Sequence, residues 1–255
     1  MINKLFIDFK HALFVGHLDA IKHHKHTTGA LCISLGEKLV VKKRDEEYRS
    51  RVLYIEQNTD FEMLSSSPVV IYCFELNAQQ RVLIRQQLGI DVTPIHHKFA
   101  NEDVFVKAGR WLGESKTLNM QHVLRFFDLL GINKTEQDKA DKRIDKLIET
   151  LHAAPTHKFT IDELTQHASL SKTRLSELFK STTGLTLRRY RIWQRLIVAA
   201  ELASKGFDLT YCAQQAGFSD SAHLSNSCRK LLGVSPIELL SQPRQLNIFT
   251  PTQLS

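Results

Sequence analysis

Long apolar runs are missing from this 255-residue sequence: the longest, Pro68 to Phe74 and Leu196 to Ala200, are far too short to cross a bilayer. The opening segment, MINKLFIDFKHALFVG, has Asp8, Lys10 and His11 breaking its apolar part and makes a poor signal peptide. Cysteine is scarce. Cys32, Cys73, Cys212 and Cys228 sit far apart, with no C-x-x-C pair and no Cys/His metal spacing. The expectation is reduced, mainly buried thiols in a cytoplasmic protein, with no membrane partner. Low-complexity segments are absent. The sequence establishes no nucleophile with a base beside it and no acid/base pair, so neither an enzyme nor a cofactor site is expected.

Positive charge, by contrast, is in excess and unevenly placed. The formal net charge is +7; from Pro155 onward 12 Lys and Arg face 7 Asp and Glu, whereas residues 1–154 carry 22 against 20. A basic C-terminal portion suits a nucleic-acid surface, although a solvated charge coat gives the same count.

Residues 1 to about 95 read as strand-rich. GALCISLGEKLVVKK, SRVLYIEQ and SSSPVVIYCFEL are short β-branched or aromatic runs divided by Gly, Asn, Ser and Pro, as in a sandwich or small barrel. The period becomes helical from Asn77 to Leu88 and from Thr117 to Leu130, with Leu118, Val123, Leu124, Phe127 and Leu130 on one side and Gly131 as the stop. Asn133 to Arg143, the most polar stretch, is the linker candidate. Beyond it the pattern is helical, starting with the stripe Ile144, Leu147, Ile148 and Leu151.

The second half repeats itself. Thr165 to Ala168 matches Ala213 to Ala216 at an offset of 48, and Leu175–Ser176, Lys180 and Gly184 match Leu224–Ser225, Arg229 and Gly233 at 49, so the second copy has one extra residue in its turn. Each copy is a short helix, a tight turn and a longer helix with its own N-cap: Ser171 in the first, Ser219 or Asp220 in the second. That is a helix-turn-helix layout, with Gly217 suited to the turn and Leu170 and Phe218 as its apolar plugs. Arg188 to Ser204 forms one connecting helix of roughly 25 Å. Such a length is of the order needed to hold two reading helices about one DNA turn, ~34 Å, apart.

LSELFKSTTGLTLRRYRIWQRLIVAAELA (Leu175 to Ala203) and CAQQAGFSDSAHLSNSCRKLLGVSP (Cys212 to Pro236) resemble the AraC/XylS family of bacterial transcription regulators. Gly-Phe-Ser-Asp, the Gly-Val-Ser-Pro ending and Tyr190-x4-Arg195 carry the resemblance, over about Asp141 to Leu240. It implies an α+β multidomain chain. Residues 1–95 would be a cupin-like sensor barrel and 96–133 a helical dimerisation or linker region. Residues 138–246 would be an all-α DNA-binding domain, with its first helix-turn-helix unit at about 160–182, the joining helix at about 187–204 and the second unit at about 209–232. Double-stranded DNA, RNA polymerase, a small-molecule effector and a second subunit are the implied partners of an activator. The family usually has aromatics at the positions of Leu224 and Cys228 and a basic residue at Asn226. An aromatic replaced by Cys forfeits about 1–3 kcal/mol unless a neighbour grows to compensate.

By resemblance and spacing, Thr173, Ser176 and Glu177 on the first reading helix, and Ser221, Ala222, His223, Ser225 and Asn226 on the second, face base edges. Glu can accept from cytosine N4, and Asn can pair bidentately with adenine. Lys172, Lys180, Arg188, Arg189, Arg195, Arg229 and Lys230 are assigned to phosphates, with Arg195 equally able to bridge the subdomains through a carboxylate. Trp193 reads as core.

His11, His17, His23, His24 and His26 crowd the N-terminal region. His24-x-His26 resembles the start of a cupin metal motif, but the next carboxylate, Glu37, is eleven residues on. No metal is expected; His17, His24 and His26 remain candidates for a ligand pocket beside the alternative of plain surface. The leading expectation is a ligand-responsive, sequence-specific DNA-binding regulator. A metal-dependent cupin-type enzyme fused to a DNA-binding module, and a ligand-independent regulator controlled by a protein partner, are the alternatives.

Overall fold

The computed structural model describes residues 1–9, 11–25, 27–74, 78–132, 141–240 and 246–250, and for 23–25, 78–81 and 240 the backbone alone. Its β-rich N-terminal region contains β1 (Asn3–Ile7), β2 (His11–Gly16), β3 (Ala20–Lys25), β4 (Gly29–Ser34), β5 (Leu39–Lys43), β6 (Glu46–Ser50), β7 (Val52–Ile55), β8 (Asp60–Leu64) and β9 (Val69–Phe74). Then come α1 (Ala78–Leu88), β10 (Ile95–His96), α2 (Glu102–Glu114) and α3 (Met120–Leu129). The helical C-terminal region contains α4 (Lys142–Ala153), α5 (Ile161–Ala168), α6 (Lys172–Thr183), α7 (Leu187–Ser204), α8 (Leu209–Gln215), α9 (Ser221–Leu232) and α10 (Pro236–Leu240), and ends in β11 (Leu246–Phe249).

The strands form two sheets. One has the order β10-β7-β4-β9-β2-β1-β11 and the other β3-β8-β5-β6. The barrel expected from sequence is not closed: among the described residues no ladder joins the sheets, which instead share an apolar layer. Ala30, Cys32, Ile71 and Cys73 of the larger sheet meet Leu39, Val41, Phe61 and Met63 of the smaller in that layer. The alternate residues Leu31, Ile33, Val70 and Tyr72 lie in a second cluster with Phe105 and Leu112 of α2 and Val123 and Phe126 of α3. Burial on both faces explains why β4 and β9 read as unbroken apolar runs. Within the 96–133 region, Leu118, Val123 and Phe126 are buried against the sheet, while Leu124, Phe127 and Leu130 are half-buried.

The described elements from Lys142 to Leu240 are all helical, as expected of the DNA-binding region, and β11, which starts where that region was expected to end, returns to the N-terminal sheet and pairs in parallel with β1, Asn3 opposite Leu246 and Phe6 opposite Phe249. The polar linker is shorter than Asn133 to Arg143: residues 133–140 lie outside the described residues, but Lys142 and Arg143 already belong to α4. Asp141 is that helix's N-cap, accepting from the Arg143 amide at 2.9 Å.

In the helical part, Trp193 is fully buried and packs in one cluster with Leu147 and Leu151 of α4, Phe179 of α6, and Cys212 and Phe218 of the second unit. The N-terminal region docks on this core. Phe9, in the β1–β2 turn, stacks on His152 of α4 with centroids 4.1 Å apart and planes at 11°. His152 Nε2 and the Tyr190 hydroxyl of α7 share a hydrogen bond at 2.6 Å.

Trp193→Ala is expected to destabilise the protein by about 3–5 kcal/mol, measured by urea unfolding. Burial also holds the His152 pKa below the ordinary imidazole value of 6.5. The neutral ring's contribution is therefore complete above that value and is lost as pH falls through the lower folded-state pKa. A calorimetric Tm should fall between pH 7 and 5, less steeply in His152→Phe, which keeps the stack but cannot titrate.

Candidate nucleic-acid interface

Two helix-turn-helix units face outward from α7: α5, a turn and α6, then α8, a turn and α9. Thr160 and Glu163 close a reciprocal capping box at the start of α5. Asp208 accepts from the Thr210 and Tyr211 amides at the start of α8, both at 2.9 Å. The reading helices open on Ser171, which accepts from the Arg174 amide at 3.3 Å, and on Asp220, which accepts from the His223 amide at 2.7 Å. The choice left open between Ser219 and Asp220 thus falls on Asp220. Ser219 instead donates to that carboxylate at 3.0 Å.

The one-residue difference between the copies lies in the turns. Residues 169–171 link α5 to α6, with Ser169 left-handed at φ +51°; the second turn has Gly217 at φ +79°. A Cβ at Gly217 would meet Arg195 Nε at 3.5 Å and the Thr156 carbonyl oxygen at 3.4 Å, ordinary contacts, so it is the left-handed backbone rather than space that favours glycine. Phe218 is buried beneath this turn and Leu170 half-buried beneath the first.

On α6, Leu175 and Phe179 are buried, and Lys172, Thr173, Ser176, Glu177 and Lys180 are exposed. The Ser176 hydroxyl donates back to the Lys172 carbonyl at 2.9 Å. Glu177 pairs loosely with Arg174 at 3.6 Å, both more than half exposed, an arrangement of little energetic weight. On α9, Leu224 and Cys228 are buried. Ala222, His223 and Asn226 are exposed, with Ser221 and Ser225 half-exposed beside them. His223 stands edge-on to Phe218 at 5.2 Å.

The basic residues divide into two groups. Lys172, Lys180, Arg188 and Lys230 present exposed side chains. Arg189 is drawn into the seam with the N-terminal region, donating to the Thr27 carbonyl at 2.7 Å. Arg229 lies 3.7 Å from Glu238. Arg195 has no carboxylate partner among the described residues; its half-buried guanidinium lies against the Gly217 turn, and burial lowers its pKa. Lys230 also contributes its carbonyl, which accepts from the Thr27 amide at 3.0 Å and hydroxyl at 2.6 Å, while Thr28 donates to the Leu231 carbonyl at 2.9 Å. Two carbonyls of the last turn of α9 thus find their donors in the β3–β4 loop.

Of the histidines proposed for a ligand pocket, only the His17 side chain lies within the described residues. His17 lies after β2, where the Asn3 side chain brackets it: its amide donates to Asn3 Oδ1 at 2.8 Å and its carbonyl accepts from Nδ2 at 3.2 Å. His24 is described by its backbone in β3, and His26 lies outside the described residues. No group of three metal-ligating side chains occurs among the described residues. A cleft of about 860 Å³ does open on the N-terminal region, but Lys43, Arg44, Glu56, Asn58 and Arg85 line it rather than histidines.

Arg174 escaped the sequence reading, although its exposed side chain stands on the first turn of α6 beside Thr173. So did Arg191, which lies 5.3 Å over the Phe159 ring and donates to Gln194 Oε1 at 3.0 Å. The four-residue spacing of Arg191 and Arg195 was the available signal, since it places them on one face of α7.

A helix-turn-helix domain family matches residues 164–242. The arabinose operon regulatory protein of Salmonella typhimurium is 29% identical over 139 residues, 52% of this chain and 49% of that protein. The probable transcriptional regulator LumQ of Photobacterium leiognathi is 36% identical over 80 residues, 31% of this chain and 32% of that one. Such matches span about a third to a half of the length of these relatives. ToxT from Vibrio cholerae aligns at a TM-score of 0.49 and 13% identity, over 91% of this chain and 98% of that one.

Asp220→Ala removes the cap of α9 and is expected to cost about 1 kcal/mol in thermal unfolding. Hydrogen exchange should locate the loss at the amides of residues 221–224 rather than at the buried end of the helix.

Proposed function

The helix-turn-helix part of this chain belongs to the AraC/XylS family, and on that premise we propose that the protein is a sequence-specific DNA-binding transcription regulator reading two adjacent major-groove segments. One observation carries the reading. Two equivalently capped helices expose short polar side chains on their first turns and are joined by a single 18-residue helix, about 27 Å long. Phosphate neutralisation by Lys172, Lys180, Arg188 and Lys230 would supply affinity, and the two polar faces specificity. No catalytic group is required.

In the same reading, the N-terminal two-sheet region, the cupin-like sensor that the resemblance implies, takes a small-molecule effector. The helices of 96–133 serve a homodimer, and RNA polymerase is the partner through which the protein activates in the cytoplasm. The activator part of this reading is supported by the name of one relative, the transcriptional activator RhaS of Escherichia fergusonii, 29% identical over 155 residues and 53% of that protein.

A mobility-shift assay with the protein's own upstream DNA, across a salt series, tests the proposal; equal binding to scrambled DNA would sink it. Asn226→Ala is expected to relax preference at one base pair, by about 1–3 kcal/mol. Lys230→Ala should weaken all sequences alike and reduce the salt slope by about 1.

A further inference from the structure

Between α9 and the larger sheet lies a void of about 50 Å³ bounded by Leu5 and Ile7 of β1, Ile248 of β11, Ala200 of α7, and Leu224 and Cys228 of α9. All fourteen residues that line it are apolar. By a measure in which one water needs about 10–15 Å³, the space holds several heavy atoms. Its cause is local. Ala199, Ala200 and Ala203 of α7 face it with single methyl groups, and the short Cys228 side chain closes the opposite wall. A smaller void of about 20 Å³ shares Leu5, Leu232 and Leu239 and continues toward Ala12 and Ile71, so the loose packing extends along this seam.

Water gains nothing from the described lining, because none of those side chains can hydrogen-bond it, and the wall atoms forgo dispersion contacts. Among the described residues no cation lines the space, and an ionised headgroup would have no partner in that lining. Cys228 is no counter-charge, since burial pushes its thiol up to about 12.

We infer that this void is a binding site for a compact, uncharged apolar molecule of about the size of benzene, and that the second reading helix feels its occupancy. The coupling rests on the DNA-binding reading and follows from Leu224, Cys228 and Leu232 forming one wall.

Benzene near its aqueous limit is expected to raise the Tm of the full chain by about 2 °C or more, and benzoate at the same concentration to leave it unchanged. Cys228→Phe and Ala200→Leu fill the space from opposite walls; either one, once folded, should abolish the benzene response. Benzene should also change operator affinity about five-fold in the unsubstituted protein and in neither filled variant. The site is overturned by the absence of a benzene shift, by an equal shift with benzoate, or by a shift that survives filling. A benzene shift with unchanged operator affinity overturns the coupling. Operator preference without benzene is scored separately: its absence beside a clear benzene shift refutes the regulator reading and leaves the site standing.

Discussion

A helix that joins two units must be covered from both sides, and α7 meets that constraint with aromatic residues at one end and alanines at the other. Near its start, Tyr190 sits edge-on to Phe179 of the first unit at 5.3 Å, while Trp193 is wholly buried one turn on. Toward its end, Ala199, Ala200 and Ala203 let β1 and β11 approach from the N-terminal sheet. The separation of the two reading helices depends on this one element. So does the docking of the β-rich region, which touches α7 through Phe9 by way of His152 and through Thr27 by way of Arg189.

Electrostatics follows from that packing. The C-terminal half is basic, yet its cations have unequal freedom. Those on α6 and at position 230 stand in solvent, where flexible side chains suit phosphate contacts whose geometry varies with the groove. Arg189 is committed to a backbone carbonyl, and Arg195 is held in the crease beside Gly217. The N-terminal region therefore subtracts from the charge available to a polyanion as well as holding the scaffold in place.

The repeat made the helical half legible, because each turn residue, cap and plug had a counterpart 48 or 49 positions away against which to check it. Strands β4, β5, β7 and β9 were legible as apolar or β-branched runs, but the polar β3, β6 and β8 and the grouping of strands into sheets were not. Ladders are set by cross-strand register, and nothing local tells β3 and β8 from the strands of the other sheet. β11 was missed for a sharper reason: four residues, LNIF, carry too little pattern to declare a strand, and only the open edge of β1 makes them one. The α6 and α9 surface residues were legible through helical spacing once the buried positions were known. Arg189 was not, because its partner is a main-chain carbonyl 162 residues away.

The parallel pairing of β1 with β11 joins segments from the two extremes of the described chain in one sheet. A contact of such sequence separation forms late, since the entropy of closing so long a loop is lost before any packing repays it. Until it forms, β1 offers an unprotected hydrogen-bonding edge flanked by Leu5 and Ile7, the kind of template that recruits strands from other molecules. The last strand thus acts as a built-in guard, and the interval before it docks is when the chain is most exposed to mispairing with its own copies.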